Sequence, residues 1–142
     1  MDVCPACSFA PVGRAWLEQA VVSPYSPRIA IVDDDVAVLE STRFLLEAAG
    51  HVVETFASPC AFLTETAVRR FDCLILDQHM PRLTGLELAC RLRARGITMP
   101  IMLMTGSLTP DIVTRAGQIH LEKIVEKPAS EAALMEFIED SA

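Results

Sequence analysis

The chain is short of positive charge: 12 Lys and Arg stand against 19 Asp and Glu in 142 residues, a net charge of −7 with histidine neutral. Non-specific nucleic-acid binding rests on basic surface that neutralises phosphates, so this balance argues against it. Long apolar runs are missing too. None reaches the ~18–20 residues that a membrane-spanning helix needs. The first residues also lack a charged stretch followed by an apolar one, which speaks against a secretory signal. The five cysteines (Cys4, Cys7, Cys60, Cys73 and Cys90) are odd in number and scattered, unlike a disulfide framework. Cys73 and Cys90 lie in hydrophobic runs and read as buried thiols acting as small apolar side chains. Cys4-Pro5-Ala6-Cys7 has the spacing of half a zinc site or of a redox dithiol. No second cysteine pair or His–His pair completes four ligands, and the motif does not open a helix after a strand, so it reads as part of a tail without metal. With 51% hydrophobic residues there is material for a core, and the expectation is an acidic, soluble, cytoplasmic single domain.

Residues 1–27 are broken by Pro5, Pro11, Pro24 and Pro27, with Val12–Val22 long enough for one short helix, and read as a flexible N-terminal extension or linker. Regular patterning starts at Arg28 and defines a domain over 28–142. Arg28–Val32 is a β-branched apolar run. Val36–Ala49 has helical spacing, with Val38, Leu39, Leu45 and Leu46 on one side and Gly50 as the stop. Val52–Phe56 is a second strand, and Ser58-Pro59 supplies a cap and first-turn proline for a short helix to about Val68. Asp72–Leu76 is a buried-strand run, followed by a helix over Thr84–Arg95 with Leu86, Leu88, Ala89 and Leu92 inward. Its Arg91, Arg93 and Arg95 suit the negative end of the helix dipole. A strand at Pro100–Met104, a helix at Pro110–Leu121, a strand at Lys123–Glu126 and a helix at Ser130–Asp140 complete the pattern. Strand and helix alternate five times, which predicts an α/β fold with a parallel sheet covered on both faces by five helices.

Four of the five strand runs end in a polar group: Asp33-Asp34-Asp35, Asp77, Thr105 and Lys127-Pro128. Sites in doubly wound sheets form at the carboxyl ends of the strands. The topology therefore gathers carboxylates, a hydroxyl and an ammonium into one pocket from positions far apart in sequence. Neighbouring carboxylates repel unless a cation sits among them, and hard oxygen ligands favour Mg²⁺. A carboxylate can be a nucleophile that forms an aspartyl phosphate, and lysine and hydroxyl groups orient phosphoryl oxygens. Phosphorylation of an Asp, assisted by Mg²⁺, uses all four endings.

Val32-Asp33-Asp34-Asp35, Leu76-Asp77-x-x-Met80-Pro81-x-x-x-Gly85, Thr105-Gly106 and Lys127-Pro128, in this order and spacing, resemble the receiver domain of two-component response regulators over residues 28–142. The resemblance implies a flavodoxin-like doubly wound five-stranded parallel sheet of order 2-1-3-4-5. It implies Asp77 as phosphoacceptor, Thr105 as switch hydroxyl and Lys127 as ion-pairing ammonium. Mg²⁺ would be held by Asp33 through water, by Asp34 directly, by Asp77, and by the backbone carbonyl of His79. The implied donor is a sensor histidine kinase or a histidine phosphotransfer protein, and output passes through an unidentified target protein or a homodimer formed on phosphorylation. No direct contact with nucleic acid or membrane is expected. The protein would be a signalling switch with self-catalysed phosphotransfer and slow autodephosphorylation rather than an enzyme, read first as a stand-alone single-domain regulator, with the receiver of a transcription factor or hybrid kinase as the open alternative.

Three positions depart from the family pattern. Ile124 stands where a rotating Phe or Tyr is usual, Ala129 follows Lys-Pro where Phe is common, and His120 stands near the usual glycine before the fifth strand. Switching is therefore expected to run through the Thr105–Pro110 loop and the helix after it. His79 and Ser107 are expected to flank the pocket and to influence how water reaches the acyl phosphate. Asp35 reads as a helix N-cap and His51 as a surface residue. Two rival readings stay open at this stage. Asp33-x-Asp35 resembles the nucleophile motif of a small haloacid-dehalogenase-type phosphohydrolase, with Asp33 as nucleophile, but that reading leaves Asp77 unexplained. The other rival is a receiver-fold binding module independent of phosphate.

Overall fold

A computed structural model describes residues 27–64 and 70–141. The Cys4–Cys7 motif, the expected helix at Val12–Val22 and the far end of the short helix toward Val68 lie outside them. The strands are β1 (Arg28–Val32), β2 (Val52–Phe56), β3 (Cys73–Asp77), β4 (Ile101–Thr105) and β5 (Lys123–Glu126). The helices are α1 (Val36–Ala48), α2 (Pro59–Leu63), α3 (Gly85–Ala94), α4 (Pro110–Gln118) and α5 (Glu131–Ser141). All strand pairs are parallel, in the order β2-β1-β3-β4-β5. The alternation read from the sequence is thus the observed architecture.

Strand side chains alternate between faces, and this period divides the interior into two cores. Ala30, Val32, Leu74, Leu76 and Leu103 pack with Phe62 of α2, Leu88 and Leu92 of α3, and Ala116 of α4. Ile29, Ile31, Ile75, Met102 and Met104 pack with Leu39 and Leu46 of α1 and with Leu134, Phe137 and Ile138 of α5. The central strands β3 and β4 are buried throughout, whereas the edge strands β2 and β5 are mostly half-buried. Continuous apolar runs in the middle and weaker patterning at the edges follow from this placement.

Helix starts obey local chemistry. Ser58, Thr84 and Thr109 each cap a helix with a side-chain oxygen, and Thr84 forms a reciprocal capping box with Glu87. The four apolar residues expected inward on α3 are all buried. On α1, Leu39 and Leu46 are buried while Val38 and Leu45 are half-buried. α4 stops at Gln118, before the expected Leu121, and His120 follows with φ 58°. Two side-chain expectations differ from the structure. Cys90 is exposed on α3, because the apolar run that holds it is a helix with an outer face; Cys73, on the central strand β3, is buried as expected. His51 is half-buried rather than exposed, and burial lowers its pKa.

Candidate functional site

The register at the sheet centre brings the chemistry together. Val32 of β1 pairs with Leu76 of β3, so the next residues, Asp33 and Asp77, emerge side by side. Asp77 pairs with Met104 of β4, which sets Thr105 one step further along. Thr105 pairs with Glu126 of β5, and the Lys127 amide donates to the Thr105 carbonyl at 2.8 Å. Four strand ends therefore deliver Asp33, Asp77, Thr105 and Lys127 to one rim. Asp34 joins them from the exposed turn after β1.

Asp33, Asp77 and Thr105 are buried polar side chains, with exposures of 0%, 1% and 0%. Asp33, Asp34 and Asp77 each offer one oxygen within 4.8 Å of the other two. The Lys127 ammonium lies 2.9 Å from Oδ1 of Asp77 and 3.4 Å from Oδ2 of Asp33. Three carboxylates thus share one nearby ammonium, an excess of negative charge that favours a cation. Burial pushes Asp33 up to about 6, with help from the Asp77 charge, against the hydrogen bond from the Asp35 amide and the charge of Lys127. For Lys127, burial works against the charged form, but the contact to Asp77 and the two carboxylate charges outweigh it and raise its pKa. Oδ1 of Asp77 is buried and has no aligned hydrogen-bond donor, the ammonium meeting it as an ion pair. A cleft of about 290 Å³ opens beside Asp34, walled by Ala57, Pro59, Pro81 and Arg82. The acidic cluster therefore adjoins solvent-accessible space on that side.

Asp35 accepts from the amides of Ala37 and Val38 at 3.0 and 3.4 Å, as its reading as an N-cap required. His79 is exposed, and its Nε2 lies 3.1 Å from Oγ1 of Thr105. Ile124 is half-buried and packs against the core on the α3 and α4 side. Two supporting residues escaped the sequence reading. Gln78 is buried and its Oε1 accepts from the Leu86 amide at 2.8 Å, while its carbonyl accepts from the Gly85 amide at 3.1 Å, bracing the β3–α3 loop. Its only sequence signal is an amide side chain directly after a buried run. Glu126 accepts from the Leu108 amide at 3.2 Å and ties the β4–α4 loop to β5. Gly85 has a steric role: a Cβ there would lie 2.5 Å from the Asp77 carbonyl oxygen and 2.7 Å from the Leu103 side chain. The glycine of the Met80-Pro81-x-x-x-Gly85 motif is what lets α3 start against β3.

The family model of the response regulator receiver domain matches residues 29–139. The chain belongs to the response regulator receiver domain family. It is 36% identical over 118 residues to the transcriptional regulatory protein FixJ of Azorhizobium caulinodans, covering 83% of this chain and 56% of that protein. Among solved structures, FixJ-N superposes with a TM-score of 0.74 at 30% identity, covering 82% of this chain and 93% of that one. The Vibrio cholerae chemotaxis protein CheY4 has the same fold, with a TM-score of 0.75 at 24% identity and coverage of 82% and 99%. The chain spans about half the length of the curated relatives it matches. The receiver of this chain thus has the expected sheet order and an acidic pocket that fits a phosphoacceptor site. The hydrolase reading is not favoured: Asp35, the second acid of its motif, caps α1. Among the described residues, no helix is long and apolar enough to cross a membrane.

Proposed function

We propose that Asp77 accepts a phosphoryl group from a phosphohistidine on a sensor histidine kinase or a histidine phosphotransfer protein, and that residues 28–142 act as the switching domain, with residues 1–27 as an extension to it. The observation that carries this reading is the Asp77 carboxylate, which is buried beside Lys127 and within 4.8 Å of two further acids while its Oδ1 lacks an aligned donor. An Asp77 oxygen attacks phosphorus, the P–N bond breaks, and the imidazole leaves with its electron pair. Lys127 offsets the charge gathering on the phosphoryl oxygens, and the Thr105 hydroxyl turns toward them once the group is in place. The donor set fits Mg²⁺, with Asp33, Asp34, Asp77 and the His79 carbonyl as the residues that would hold it. Bound there, the ion would neutralise phosphoryl oxygens during transfer. The protein would be a cytoplasmic switch with slow self-dephosphorylation, its output passing through protein contacts or a phosphorylation-dependent homodimer rather than direct contact with nucleic acid or membrane.

Intact-mass measurement with Mg²⁺ and a small phosphodonor tests the reading on wild type, Asp77→Asn and Asp33→Asn. A phosphoryl adduct on wild type that requires Mg²⁺ and is absent from Asp77→Asn is the expected result. An adduct that survives in Asp77→Asn and is lost in Asp33→Asn would move the nucleophile to Asp33. A wild type without adduct from this donor or a phosphorylated kinase would leave a phosphate-independent module.

A further inference from the structure

The Thr105 hydroxyl is already fully engaged. It donates to the Ser107 carbonyl at 3.0 Å, accepts from the Ser107 amide at 3.2 Å, and lies 3.1 Å from Nε2 of His79. A hydroxyl has one proton to give. With that proton on the Ser107 carbonyl, the contact to His79 is a hydrogen bond only if the imidazole donates, which assigns the Nε2–H tautomer. Thr105 itself is buried, whereas the imidazole reaches it from His79, an exposed residue between the buried Gln78 and Met80 after β3. To meet a phosphoryl group on Asp77, the hydroxyl must redirect its proton and give up this arrangement.

We infer that the His79 side chain is a latch on the switch hydroxyl: it holds Thr105 in its resting orientation and so sets how strongly a phosphoryl group must pull to turn the switch. This rests on the proposed role of Asp77 and Thr105 and adds to it a positioning residue that acts through Thr105. It differs from control of water access, because it predicts an effect on equilibrium and not only on hydrolysis. A contact that stabilises only the resting state lowers the apparent affinity of any ligand that selects the other state. This chain gives the latch unusual leverage. Ile124 is half-buried against the core and offers no aromatic ring to follow the hydroxyl, and the Thr105–Thr109 loop is held by the ties that His79 and Ser107 make to Thr105 and Glu126 makes to Leu108.

The test is a titration with beryllium fluoride and Mg²⁺, a stable mimic of the phosphoryl group, on wild type, His79→Ala, His79→Gln, and the two His79 variants combined with Thr105→Ala. These substitutions leave the backbone carbonyl of residue 79 in place. Loss of one partly exposed hydrogen bond should tighten binding of the mimic by about three- to ten-fold in His79→Ala. His79→Gln, whose amide can still donate, should return toward wild type. In the Thr105→Ala background His79→Ala should change nothing. Unchanged affinity in His79→Ala, or a change of equal size without the Thr105 hydroxyl, overturns the latch while leaving the receiver reading intact. A wild type that does not take the mimic at all overturns both. Proton-coupled ¹⁵N spectra of the imidazole give an independent reading: Nε2–H in wild type is expected, and a ring protonated at Nδ1 alone refutes the donor assignment.

Discussion

Asp33 is buried among charges and titrates far above an ordinary aspartate, at about 6. The folded state therefore holds its proton more tightly than the unfolded chain does. Stability from this group is present at low pH and declines as pH rises through about 6, because burial outweighs the ion pair with Lys127, the reverse of an aspartate whose pKa its ion pair lowers. A shift of this size corresponds to about 2–3 kcal/mol at neutral pH. In chelator, Asp33→Asn should thus gain stability over wild type between pH 5 and 7 in urea denaturation, and Mg²⁺ should stabilise wild type alone at pH 7. A constant difference across that range would show that ionised Asp33 is fully compensated by Lys127. Gly85 makes a second prediction at this scale. Alanine there must push on the Asp77 carbonyl, a backbone atom that β3 holds in place. Gly85→Ala should cost about 1–3 kcal/mol in chemical denaturation and should slow formation of the Asp77 adduct, whereas Gly106→Ala meets nothing within 4 Å and should leave packing unchanged.

At the scale of elements, α3 illustrates what a sequence shows and what it hides. Its apolar stripe and its basic end were legible, because each is a local rule of spacing or charge, whereas Thr84, read as the first helical residue, is the cap. The role of Arg93 was not. Read as one of three basic residues near a helix end, it instead donates to the carbonyls of Ile97, Met99, Ile119 and His120 at 2.9–3.1 Å. Those carbonyls come from two separate segments, so only the fold creates the site that the guanidinium fills. Lysine cannot reproduce such a fork. Arg93→Lys should therefore destabilise by about 2 kcal/mol, whereas Arg91→Lys on the outer face should change denaturation by less than about 0.5 kcal/mol. Cys90 misled for a related reason: composition alone does not say which side of α3 a residue takes, and Cys90 falls on the outer one.

For the molecule as a whole, the parallel sheet and the gathering of Asp33, Asp77, Thr105 and Lys127 followed from alternation and from where polar residues interrupt apolar runs, whereas the strand order came from the resemblance to the receiver family. The register between strands, which sets Asp33 beside Asp77, is a tertiary property, and so are the His79 contact with Thr105 and the Glu126 tie. None of these has a sequence period to reveal it. The Arg93 clamp also bears on mechanics at this scale. It grips the carbonyls of Ile119 and His120 just beyond the end of α4, while the start of α4 hangs from the loop that Thr105 opens. A rod of nine residues, about 13 Å long, is thus pinned at one tip and steered at the other. A displaced loop is therefore expected to swing α4 like a door about a hinge, with the widest sweep at Pro110 and the least at Gln118.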